Sequence, residues 1–157
     1  MADNLIFSSD EIAFLEELVR QKVRFMIVGL SAAALQGAPV VTQDIDLWFE
    51  DLSNPGIKKA LKKTKGSYIP PSATTPPLFA GDGVKLFDIV VHMHGLGEFE
   101  EEIKHAVLIP LEKLEIPVLS LERIIKSKKA AHRQKDQLTL PVLKDALITV
   151  KNRNRND

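Results

Sequence analysis

Near the N-terminus, apolar residues recur at helical spacing, with Ile12, Leu15, Leu18 and Val19 on one face, and predict a helix from about Asp10. Ser8 and Glu11 stand in front of it with the spacing of a capping box. Arg24 to Val28 is a short apolar run ending at Gly29, which predicts a strand and a glycine turn, and the small residues from Leu30 to Leu35 predict a helix. The next apolar stretch alternates. Ile45, Leu47 and Phe49 point one way and Asp44, Asp46, Trp48 and Glu50 the other, the pattern of a half-buried strand with a polar face. Asn54-Pro55 opens a helix that stops at Gly66, and the proline-rich segment from Tyr68 to Pro77 reads as a loop. Gly81-Asp82-Gly83 reads as a tight turn, pairing Leu78-Phe79 antiparallel with the strand-like run Lys85 to Val91. Beyond it come a charged amphipathic helix from Glu98 to Ala106, a short edge strand Ile116 to Leu119, a helix capped by Ser120 that reaches Ala131, and a final helix from about Leu140. The expected architecture is α/β, a mixed sheet of about four or five strands flanked by helices. Residues 1–151 are expected to form one domain with a helical C-terminal part over 120–151, and the polar segment 152–157 to be disordered.

Two carboxylates in the alternating strand change the picture from fold to chemistry. Residues two apart on a strand project to one face, so Asp44 and Asp46 stand side by side and repel unless a cation lies between them or water covers both. Such oxygen-only ligands suit Mg²⁺, which takes one or two carboxylates and completes its shell with water and phosphates. The strand, glycine turn and helix around Gly29 bring backbone N–H groups to a strand end where they can hold a phosphate, and Ser31 adds a hydroxyl. A third acid, Asp88, lies in the run Lys85 to Val91. Each has a plainer alternative: a solvated sheet face for Asp44 and Asp46, a salt-bridged or capping role for Asp88. Trp48 either stacks on a base or sugar or, as is commoner, covers the edge of the core. His92 and His94 share the face of Asp88 if the strand persists, where they would assist metal or proton transfer; the commoner outcome is a pair of exposed residues at the strand end.

At these residues the chain resembles the nucleotidyltransferase superfamily, whose best-known shape is the palm of DNA polymerase beta. Val28-Gly29-Leu30-Ser31, Asp44-Ile45-Asp46-Leu47 and Phe87-Asp88-Ile89 follow the order of its motifs, and Gly37 with Thr42-Gln43-Asp44-Ile45-Asp46 is similar to the minimal, AbiEii-toxin-like members. Ile124 to Asp136 resembles the family's C-terminal segment and places Lys128, Arg133, Lys135 and Asp136 in its positions, so that the resemblance covers most of the chain. It implies a transferase that moves a nucleotidyl group from an NTP, ATP first, to a hydroxyl of an RNA, a protein or a small molecule, with Mg²⁺ or Mn²⁺ as cofactor. It also implies that Asp44, Asp46 and Asp88 hold metal and carry catalysis, and that Gly29, Ser31, Lys128 and Arg133 contact the nucleotide phosphates. Two positions depart from the pattern: Leu30 replaces a second glycine, and Val40 stands where relatives often carry Arg. These departures motivate the alternative of a catalytically inactive nucleotide- or RNA-binding module of the same fold, and a toxin–antitoxin component falls within either reading.

Composition narrows the remaining choices. The 157 residues suit one domain, and the absence of cysteine excludes disulfides, thiol catalysis and thiolate metal sites. No apolar run approaches a membrane span and no signal pattern opens the chain, so a cytoplasmic protein with no membrane partner is the expectation. The net charge of zero hides an asymmetry: residues 1–119 carry 11 basic and 17 acidic side chains, residues 120–157 carry 10 and 4. A basic C-terminal part opposite an acidic site would draw in triphosphate or RNA. Small-molecule transferases usually add an acceptor domain, for which this length leaves little room, so a macromolecular acceptor or one bound across a subunit interface of a homo-oligomer is expected.

Overall fold

The computed structural model describes residues 7–156. Helix α1, Ser9–Arg20, starts at the capping box: Glu11 N–H donates to Ser8 Oγ (3.1 Å) and Ser8 N–H donates back to the Glu11 carboxylate (2.8 Å). These two bonds satisfy donors that a helix start otherwise leaves unpaired. Strand β1, Phe25–Val28, is buried along its length and turns at Gly29 into helix α2, Gly29–Leu35. Strand β2 is Ile45–Phe49, and helix α3, Pro55–Lys63, begins with the Asn54 side chain accepting from Gly56 N–H (2.8 Å).

Strands β3, Ser67–Ile69, and β4, Leu78–Ala80, pair with each other antiparallel as a separate two-stranded sheet. This corrects two expectations. Part of the proline-rich segment is strand, and Leu78-Phe79 does not pair with the run that carries Asp88. That run forms strand β5, Phe87–Val90, which lies parallel to β2 instead. The glycines of Gly81-Asp82-Gly83 open a longer turn than a hairpin needs, so the chain leaves one sheet and joins the other.

The amphipathic segment near Glu98 is also shorter than its pattern suggested. Helix α4 is Phe99–Glu102, a 3₁₀ turn covers Ile103–His105, and Ala106 already begins strand β6, Ala106–Leu111. β6 forms an antiparallel hairpin with β7, Leu114–Leu119. The main sheet runs β5-β2-β1-β7-β6, so β7 is an inner strand and β6 takes the edge expected of Ile116 to Leu119. β7 meets β1 at one registered pair, Ile27 with Val118, so Pro117 interrupts little of the ladder on that side. Ser120 caps helix α5, Leu121–Ala131, through Arg123 N–H, as expected. After His132, in the left-handed conformation, helix α6 runs from Gln134 to Asn156. It starts before Leu140, carries Pro141 inside it, and continues through the backbone of residues 152–156 of the segment expected to be disordered, whose last residue lies outside the described residues.

The five-stranded mixed sheet agrees with the α/β expectation. Its core includes Phe14, which sits 5.4 Å from Phe79 and 5.1 Å from Phe87 between ring centroids. Trp48 is buried edge-to-face on Phe99, with ring centroids 6.0 Å apart, and takes the core-covering role. No helix among the described residues is long and apolar enough to cross a membrane.

Candidate active site

Register decides what the site contains. Val28 pairs with Asp46 across β1 and β2, and Asp46 pairs with Asp88 across β2 and β5, so the glycine turn and two of the acids share one row of the sheet. Paired residues on adjacent strands project to the same face. Asp44 lies just before β2, exposed, where the alternation had placed it inside the strand. All three acids line one cleft of about 330 Å³, which is also lined by Lys128 from α5, by Arg133 in the turn between α5 and α6, and by Lys135 and Asp136 from the start of α6. A second lobe of about 230 Å³ shares Asp46, Lys128 and Arg133 with the first and adds Gly29, His92 and His94.

The acids differ in electrostatic state. Burial pushes the Asp46 carboxyl up to about 6, and the negative charges of Asp88 and Asp44 add to that rise against the pull of Lys128 and Lys135. Asp88 is raised too, by burial first and then by Asp44. Asp136 behaves in the opposite way. Burial would raise it, but hydrogen bonds from the Arg133 side chain and backbone and from Lys128 outweigh that and hold it at about 2. Its oxygens accept from Arg133 Nε (2.8 Å), Arg133 N–H (3.1 Å) and Lys128 Nζ (3.2 Å), and Asp136 itself is fully buried. Asp136 is thus the anchor that aims both cations at the cleft, a role that motif matching did not assign. Its signal in the sequence was an acid next to Lys135 within a segment otherwise rich in cations.

The glycine turn serves the site by leaving room. Gly29 has φ +69, and a Cβ there would overlap the Asp46 carboxylate, with Asp46 Cγ only 3.2 Å away. Gly29→Ala is therefore expected to lower stability by about 1–2 kcal/mol through the left-handed backbone, and to cut activity by about 10²-fold because the carboxylate must move. Thermal melting and turnover of the purified variant check both. Ser31 is not where the sequence reading put it. It is fully buried, its hydroxyl donates to Val28 C=O (2.8 Å) and accepts from Asp46 N–H (3.2 Å), and it pins α2 to β2 instead of facing a phosphate. Leu30 lines the first lobe in the place where bare backbone was expected.

A divalent cation fits this donor set. The three acids are all-oxygen ligands around one cleft, and the raised Asp46 and Asp88 record an excess of negative charge that a cation would relieve. Among the described residues no group of three or more acidic or histidine side chains stands close enough to hold a metal ion by itself. Mg²⁺ does not require one, since water and substrate phosphates supply its other ligands.

No protein-family model and no curated protein matches the chain. Solved structures do. ANT(2'')-Ia in complex with adenylyl-2''-tobramycin is 14% identical with a TM-score of 0.55, over 92% of this chain and 95% of that one. A candidate nucleotidyltransferase, TM1012 from Thermotoga maritima, is 24% identical with a TM-score of 0.52, over 90% and 89% of the two chains. An antigenic nucleotidyltransferase-like protein from Paracoccidioides brasiliensis is 17% identical with a TM-score of 0.54, over 87% and 77%. The chain has the nucleotidyltransferase fold, in agreement with the resemblance carried by its glycine turn and three aspartates.

Proposed function

We propose that this protein is a metal-dependent nucleotidyltransferase that moves a nucleotidyl group from an NTP to a hydroxyl. One observation carries the reading: three carboxylates from the sheet side, Asp44, Asp46 and Asp88, share a single cleft with three cations, Lys128, Arg133 and Lys135. The acids take the metal and the cations take the phosphates. A divalent ion bound there supplies charge neutralisation for the polyphosphate and acidifies the attacking hydroxyl. Lys128, Arg133 and Lys135 hold the phosphates, the first two positioned by Asp136. The acceptor oxygen attacks the α-phosphorus, the bond from that phosphorus to pyrophosphate breaks, and the hydroxyl proton passes to the carboxylate of Asp88, the acid paired with Asp46 across β2 and β5.

The acceptor is open between classes. ANT(2'')-Ia, whose length this chain matches over 95%, was solved with an adenylylated small molecule, so length does not argue against a small acceptor as the sequence reading held. RNA and protein hydroxyls stand beside it, and a toxin–antitoxin role belongs to this same proposal. Incubation with each α-labelled NTP, Mg²⁺ and total cellular RNA, protein or small-molecule extract reads donor and acceptor together. Label transferred by the wild type and not by Asp46→Asn supports the proposal; label transferred equally by both overturns the site. A second reading, an inactive binding module, is favoured by Leu30 in the cleft and by the burial of Ser31. It predicts Mg-NTP binding with no transfer to any acceptor.

A further inference from the structure

The two lobes of the cleft differ in the charge of their walls, and the difference divides the substrate. Every acid and every cation that the reading above uses lines the first lobe, whereas the walls that only the second lobe has include Val90, Met93, Ile124 and Ala131 with two imidazoles, His92 and His94. Asp46, Lys128 and Arg133 stand at the junction. A metal-bound triphosphate is all charge, and the rest of an NTP is a sugar and a flat, largely apolar ring with polar edges. With the triphosphate in the first lobe and the α-phosphate at the junction, the ring enters the second lobe.

The histidine segment is a built wall. Gly95, at φ +73, packs so close to α5 that a Cβ there would overlap Ala130. Gly97 N–H donates to Glu102 (2.8 Å), and the buried Glu102 carboxylate also accepts from Arg123 Nε (2.8 Å) and Nη2 (2.7 Å) on α5. Met93 and Leu96 pack partly into the core. Between these fastenings the two imidazoles stand 6.0 Å apart at 72°, an edge-to-face corner, and neither makes a hydrogen bond within the described residues. A neutral imidazole offers one donor and one acceptor, which match the polar edge of a base, while its face stacks on the ring.

We propose that the second lobe is the nucleobase subsite and that His92 and His94 are its specificity-determining residues. This inference rests on the nucleotidyltransferase reading, and the test separates the two. Calorimetry compares Mg-tripolyphosphate with the Mg complex of the best-bound of ATP, GTP, CTP and UTP, for wild type and for His92→Ala, His94→Ala and the double variant. Both histidines are exposed, so the variants are expected to fold, and their melting curves verify it. The wild type is expected to bind the NTP at least tenfold tighter than tripolyphosphate. The double variant loses about tenfold for the NTP, flattens the preference among bases and binds tripolyphosphate as the wild type does. Unchanged NTP affinity and base preference in the double variant overturn the subsite and leave the proposed function standing. Failure of the wild type to bind either ligand overturns the proposed function itself.

Discussion

Asp46→Asn is expected to abolish nucleotidyl transfer, by at least about 10³-fold, and in the same protein to raise the stability of the metal-free fold. The carboxylate lines both lobes of the cleft and sits in line with Asp88, so its charge is central to the site. That charge is also a burden on the fold. Burial and two neighbouring aspartates raise its pKa to about 6 from an ordinary 3.8, so the unfolded chain carries the charge more willingly than the folded one. The sign follows. At pH 7 the ionised carboxylate destabilises the metal-free protein by about 1–3 kcal/mol, and this burden lifts as pH falls from about 6 toward 4, where the folded form takes up a proton first. Chemical denaturation in chelator should therefore show Asp46→Asn more stable than wild type at pH 7, with the gap closing near pH 4. Added Mg²⁺ should stabilise the wild type and leave the variant unmoved.

Asp136→Asn is expected to shift stability the other way, losing about 2–4 kcal/mol, and to lose most of the activity as well. The folded pKa of about 2 lies below the ordinary 3.8, so the ionised group stabilises the fold above about pH 4, and that contribution is lost as pH falls toward 2. Its removal leaves the largely buried Lys128 ammonium without its partner and frees Arg133 from the bonds that aim it. Two carboxylates of one cleft thus respond oppositely to neutralisation because burial and two acids outweigh the pull of Lys128 and Lys135 on Asp46, while Lys128 and Arg133 hydrogen-bond Asp136 directly. Melting curves of the two variants at pH 7, side by side, decide it: opposite shifts agree with this account, and shifts of equal sign contradict it.

The parts of this molecule that the sequence displays are those whose cause is local. Ser8 with Glu11, Asn54 with Pro55 and Ser120 before Leu121 are read directly because a cap needs only a few adjacent residues. Gly29 is legible because a strand that reverses into a helix requires a left-handed residue there, and Asp46 because an acid interrupts an apolar alternation. What depends on distant partners is not visible. Only Ile116 to Leu119 was read as strand, whereas the β6–β7 hairpin pairs over six registered positions, Pro110 and Pro117 among them, because each strand supplies the other's partners. The final helix was expected from about Leu140, but packing of α6 against α5 and the Asp136 anchor start it at Gln134 and carry it through Pro141. The fate of Ser31 followed from the register of β1 with β2, which no local pattern fixes, and the parallel placement of β5 followed from the turn after β4 leading out of the small sheet.

The central claim is that Asp44, Asp46 and Asp88 act with the facing cations as one pocket for a metal–nucleotide complex. Water-proton relaxation with Mn²⁺ measures this directly, on wild type, Asp46→Asn and Asp88→Asn, each with and without ATP. The account predicts that ATP strengthens Mn²⁺ binding to the wild type and that either substitution removes both the binding and the enhancement. Mn²⁺ and ATP bound by both variants as tightly as by the wild type would contradict it.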